Sequence, residues 1–256
     1  MGSVTVVLLM LVEFLLVLGL LLLADRWLHR HLQGVLYLLT NDQEIALWLY
    51  SLLLFPGVLI HEVSHAFVAA VLGVRIGRIS LFPRRSKGHI QLGFVPVEET
   101  DFLRASLIGA APLFAGTAVI FAVGYFVFGT PEVIGALAAG QWLTALRGLG
   151  NALQAPDAWI WAALIFTVGN TMLPSRSDTH AWPLLALVFV GTLVIALLAG
   201  AGAALLQGVS QALAWAVKWV VLLGGSTLLV DAPFFLMLFL LEKGLEWVKG
   251  SKIVYQ

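Results

Sequence analysis

Long apolar runs separated by short polar interludes set the pattern of the chain. Six runs are long enough, or nearly so, to cross a bilayer as helices. They cover roughly Val4 to Ala24, Ile45 to Val74, Phe102 to Phe128, Ala158 to Leu173, Ala181 to Leu206 and Ala212 to Leu241. The first lacks a basic leading segment and a small-residue cleavage site, and exceeds the apolar stretch of a signal peptide, so a retained helix is expected. Pro56 and Gly57 are expected to bend the second run. Asp25 to Glu44 reads as interfacial, and Gly129 to Asp157 as an interfacial or re-entrant helix. The only period-two alternation falls in the insert over residues 75–97. There Ile90, Leu92 and Phe94 alternate with His89, Gln91 and Gly93, after the turn-forming Pro83-Arg84-Arg85-Ser86-Lys87-Gly88. That pattern predicts a β-hairpin built from Arg75–Phe82 and His89–Val97. The expected fold is all-α and polytopic, with about six transmembrane helices and this hairpin.

Composition reinforces the pattern. Hydrophobic residues make up 61% of the 256 and charged residues 11%, too few charges to cover a water-soluble surface. The lipid bilayer is therefore the chain's first partner. A formal net charge of +0 speaks against nucleic acid, whose binding needs a basic excess. With no cysteine, disulfides and thiolate metal sites are excluded, and any metal must be held by His, Asp or Glu. Basic residues fall unevenly about six spans. Arg75, Arg78, Arg84, Arg85, Lys87, Arg104, Arg176, Lys243, Lys249 and Lys252 share one side, against Arg26, Arg30 and Arg147 on the other. This asymmetry places both termini and the hairpin in the cytoplasm, with a prokaryotic cell membrane the expected setting.

The second run carries His61-Glu62-Val63-Ser64-His65. Residues four apart share a helix face, so both imidazoles can meet one Zn²⁺, with Glu62 beside them to take a proton from the attacking water. As polar glue between helices these groups would be costly, since each ionisable side chain near the bilayer centre costs roughly 2.5–3.5 kcal/mol. Metal binding is the better explanation of three within five residues. A hydrolytic zinc needs a third protein ligand. Asp178 follows the fourth run beyond Pro174, and taken alone it reads as an ordinary helix-end carboxylate paired with Arg176 rather than as that ligand. Glu13, in the first run, reads as a bundle-facing structural group, and Asp231 as a partner for another span.

His61 to His65 in an apolar helix, followed by Asn170, Pro174 and Asp178 at a helix end, resembles the site-2 protease family of intramembrane metalloproteases. That family's motif is close to Asn-x-x-Pro-x-x-x-x-Asp-Gly. Here the separation of Asn170 and Asp178 is kept, the proline is one position late, and Thr179 replaces the glycine. Gly109-Ala110-Ala111-Pro112 looks like the family's small-residue and proline element. The resemblance covers roughly Phe55 to Asp178.

It implies a three-helix metalloprotease core over residues 45–180, between an N-terminal segment 1–44 and a C-terminal pair of helices over 181–256. It further implies one zinc per chain held by His61, His65 and Asp178, with Glu62 as general base and Asn170 positioning substrate or stabilising the oxyanion. His180, two residues on, competes with Asp178 as third ligand. The implied activity is hydrolysis of peptide bonds in or near transmembrane segments of membrane-protein substrates. Water would enter from the hairpin side, and an extended substrate would pair with a hairpin edge. A membrane transporter and an inactive metal-binding membrane module are the alternatives.

Overall fold

A computed structural model describes the backbone of residues 3–86, 89–253 and 255. It describes their side chains apart from those of 3–8, 10, 11, 84–86, 89–91, 138, 193, 197, 201–206 and 213. The chain is helical almost throughout. In order come α1 (Ser3–Thr40), α2 (Gln43–Val71), β1 (Arg84–Ser86), β2 (His89–Gln91), α3 (Phe102–Phe126), α4 (Thr130–Ala138), α5 (Trp142–Leu153), α6 (Ala158–Gly169), α7 (Trp182–Ala196) and α8 (Gly202–Lys249).

Local chemistry sets several boundaries. The Asp42 carboxylate accepts from the Glu44 and Ile45 amides and starts α2. Asp101 does the same for α3 through Leu103 and Arg104. Both satisfy amides that have no partner inside the helix. Gly129, at φ 58°, turns the chain into α4, with Pro131 in its first turn. Gly200, at φ 84°, marks the kink between α7 and α8. α2 runs on through Pro56 as one helix.

Among the described residues, four helices are long and apolar enough to cross a membrane: Gln43–Val71, Phe102–Phe126, Trp182–Gly200 and Gln207–Lys249. Many of their large apolar side chains are exposed, including Leu52, Phe67, Phe114, Leu187 and Ile195, as a lipid-facing surface requires. The expected count of six is not met. The fourth run folds into only the 12 residues of α6, which rise about 18 Å, short of a ~30 Å hydrocarbon core. The first run has no boundary of its own. It continues through the polar stretch at Asp25 as the single 38-residue helix α1.

α1 and α8 run parallel. Gly224 lies against Val17 and Leu21, His31 pairs with Glu242, and the Lys249 ammonium reaches the Leu38 carbonyl and Asn41. The start of α1 and the end of α8 therefore lie at opposite ends of the pair, which lends no support to the expectation that both termini share one side. Glu13 is exposed rather than bundle-facing.

α2, α3 and α6 pack on one another, and α1 and α8 close around them. Leu28, Leu32, Val35, Tyr50, Leu54 and Leu238 form a core between α1, α2 and α8. Ile120, Val123, Ile165, Val168 and Met172 form a second between α3 and α6.

The insert after α2 does not form two continuous strands over residues 75–97. Pairing is confined to three-residue strands, Arg84 opposite Gln91 and Ser86 opposite His89, with Lys87 and Gly88 outside the described residues. Isolated bridges join Ile76 to Val97 and Ser80 to Phe94. Pro83 and Pro96 have no amide to donate to a ladder. Between them Leu92 and Gly93 turn into the bundle, Leu92 packing against the α1–α2–α8 core.

Candidate metal centre

His61 and His65 lie one turn apart on α2, and the loop after α6 carries Asp178 to meet them. Their ligand atoms all fall within 4.8 Å of one another. Nε2 of His61 is 3.1 Å from Nε2 of His65. The Asp178 carboxylate lies 3.3 Å from the His65 nitrogen and 3.8 Å from that of His61. A tetrahedron with metal–nitrogen bonds of about 2.0–2.1 Å has edges of about 3.3 Å, so the three spacings suit one zinc-sized ion.

The orientation of the imidazoles says more than their proximity. Nδ1 of His61 faces the Thr171 carbonyl at 2.7 Å, and Nδ1 of His65 faces the Ile108 carbonyl at 2.8 Å. A carbonyl only accepts, so each Nδ1 carries its proton and donates it. Both Nε2 atoms and the carboxylate then present lone pairs to a common point. That arrangement is repulsive unless a cation sits among them: a proton in the metal-free form, or a metal ion. A ligating histidine typically gives its other N–H to a carbonyl or carboxylate in this way.

Asp178 is aimed by its own loop. Oδ2 accepts from the Ser175 amide at 2.7 Å and the Ser175 hydroxyl at 2.6 Å, leaving Oδ1 nearer His65. The Thr179 amide and hydroxyl both bond the Ser175 carbonyl and close the turn. Burial pushes the Asp178 carboxyl up, but hydrogen bonds from His65 and Ser175 outweigh it and hold the group down at about 2. α3 presents Gly109 where the Asp178 carbonyl passes; a Cβ at that position would overlap the carbonyl oxygen.

The other expected site residues are placed as follows. Glu62 is buried and lines the same cavity, about 1310 Å³ in volume, as His61, His65 and Asp178. Gly93 of the insert lies against its carboxylate. Asn170 also lines the cavity, but its amide nitrogen donates to the Phe166 carbonyl at 2.8 Å and to Asp231 at 3.0 Å. Both amide protons are thus directed away from an oxyanion. His180 is exposed, with Nδ1 on the Ser177 carbonyl, and it is not one of the three converging groups. Arg176 is exposed and makes no ion pair with Asp178 among the described residues.

Sequence reasoning missed α1's part in this cavity. Asp25, His29 and Gln33, four residues apart, line it together with Tyr50 of α2. Their spacing puts them on one helix face, a signal obscured by the polar residues around them. Asp231 was expected to pair with another span, and its partner is Asn170.

Compared with known proteins, the chain matches no protein-family model, no curated protein and no solved structure. The functional reading therefore rests on the site itself.

Proposed function

We propose that this chain is an intramembrane zinc metalloprotease of the site-2 protease kind, hydrolysing peptide bonds in or near the membrane-spanning segments of other proteins. The observation that supports this reading is the convergence of His61, His65 and Asp178 with both Nδ1 protons turned onto carbonyls and a buried carboxylate, Glu62, beside them. A metal bound by these three groups would supply Lewis acidity and lower the pKa of a water toward ~7.

The chain's own residues do the rest. His61, His65 and Asp178 would hold the ion, three protein ligands being the complement of a hydrolytic rather than a closed structural site. Glu62 takes the proton of the attacking water on its carboxylate and returns it to the leaving amine. The turn at Leu92 and Gly93 brings backbone of the insert to the edge of the Glu62 carboxylate, where an unwound substrate segment can lie alongside it. In the proposed setting the protein is a multi-pass component of a prokaryotic cell membrane and carries one zinc per chain.

Purified Glu62→Gln protein tests the proposal. It is expected to retain zinc and lose cleavage of a membrane-protein substrate. Undiminished cleavage by that variant would remove Glu62 from its role. A transporter would move ions with or without the Glu62 carboxylate, and an inactive module would cleave nothing in the wild type.

A further inference from the structure

α6 ends at the level of the metal centre, and a helix end leaves its last carbonyls without partners. Two of the carbonyls at this end are capped by histidines from two different helices. His61 of α2 caps Thr171 through Nδ1 at 2.7 Å. His29 of α1 caps Asn170, the preceding residue, through Nε2 at 3.2 Å. A histidine donor suits the negative end of a helix.

His29 is itself held in place. Its Nε2 proton is shared with Asp25 at 3.0 Å, and its Nδ1 accepts from the Tyr50 hydroxyl at 2.6 Å. Tyr50 is buried, and it precedes His61 by eleven residues, three turns along the same face of α2. On the other side of the turn, α8 supplies Asp231. This carboxylate is 1% exposed, and it accepts from the Asn170 amide at 3.0 Å. Asn170, the residue before the carbonyl that orients His61, is thus gripped from α1 at its own carbonyl and from α8 at its side chain.

We infer that His29 and Asp231 are positioning residues of the metal centre, through which α1 and α8 fix the Asn170–Thr171 turn and hence the aim of the His61 imidazole. The inference rests on the proposal that His61, His65 and Asp178 bind zinc. Neither residue touches the ion; each acts through Asn170. The outer helices are on this account part of the site and not only its lipid-facing wall. Outer partners of ligating histidines typically change metal affinity 10–100-fold when removed, and about that loss is expected here.

The test is zinc affinity of the full chain in detergent, read by competition with a chromogenic chelator, beside a thermal melt of each variant. His29→Leu and Asp231→Leu are expected to bind zinc about 10–100-fold more weakly. Asp231→Asn keeps an acceptor oxygen for the Asn170 amide and is expected to bind near the wild-type level. Glu242→Leu removes a buried polar contact between the same two helices, at His31, away from the centre, and is expected to leave zinc affinity unchanged. Should a leucine variant fail to fold, His29→Gln, which keeps an N–H donor, is compared with His29→Met, and only the methionine variant is expected to lose affinity. Folded His29→Leu and Asp231→Leu proteins with wild-type affinity would overturn the inference. So would a Glu242→Leu loss equal to theirs, which would mark a general packing effect. A wild-type protein that binds no zinc overturns the underlying proposal and this inference together.

Discussion

Gly93 of the insert lies so close to Glu62 that a Cβ there would stand 2.6 Å from the carboxylate oxygen Oε1 and 2.7 Å from Cγ. The segment that the alternating pattern marks as a strand is instead drawn into the bundle, and it meets the residue proposed as general base. Gly93→Ala is therefore expected to displace the Glu62 carboxylate while leaving the three ligands untouched. Misplacement of a catalytic group by about 1 Å costs on the order of 100-fold in rate. Cleavage should fall toward that level with zinc content unchanged, and full activity in Gly93→Ala would show that the contact carries no catalytic weight.

Gly109 meets backbone rather than a side chain. A methyl group on it would overlap the Asp178 carbonyl, which cannot rotate away as a side chain can. Gly109→Ala is expected to shift the Asp178 turn, at a cost of roughly 1–3 kcal/mol typical of overpacking, and to weaken zinc binding. Gly225→Ala in α8, where a Cβ meets nothing within 4 Å, is the matched control and should change neither melting nor zinc content.

Asp178 gives the metal-free protein a pH signature. Its folded value of about 2 lies below the ordinary carboxylate value of about 3.9. A group depressed in this way stabilises the folded state above the unfolded value and loses that contribution as pH falls through the folded one. In apo protein the melting difference between wild type and Asp178→Asn should be full above about pH 4 and shrink toward about pH 2. A difference that grows on acidification would contradict the hydrogen bonding from Ser175 and His65.

The histidine pair was legible in the sequence because its geometry is local. Two histidines four apart on an apolar helix determine a shared face before any tertiary contact forms. Asp178 was legible only through the resemblance, since a carboxylate after a proline break has no local reason to return to the bundle; Ser175 supplies that reason. His29 and Asp231 were not legible as site residues. Their contacts with Asn170 join segments 141 and 61 residues apart, and pattern reading carries no information at that range. The span count was misread for a related reason. The apolar run at α6 reads as a complete crossing, whereas α6 stops where Asn170 and Thr171 meet His29 and His61. The extent of the strands was misread because alternation at Leu92 and Gly93 reports burial against α1, α2 and Glu62, not sheet pairing.

Zinc per chain in purified protein tests the central claim most directly. About one zinc is expected in the wild type and in Glu62→Gln, and close to none in His65→Ala or Asp178→Ala. Full zinc occupancy in either alanine variant would contradict the account.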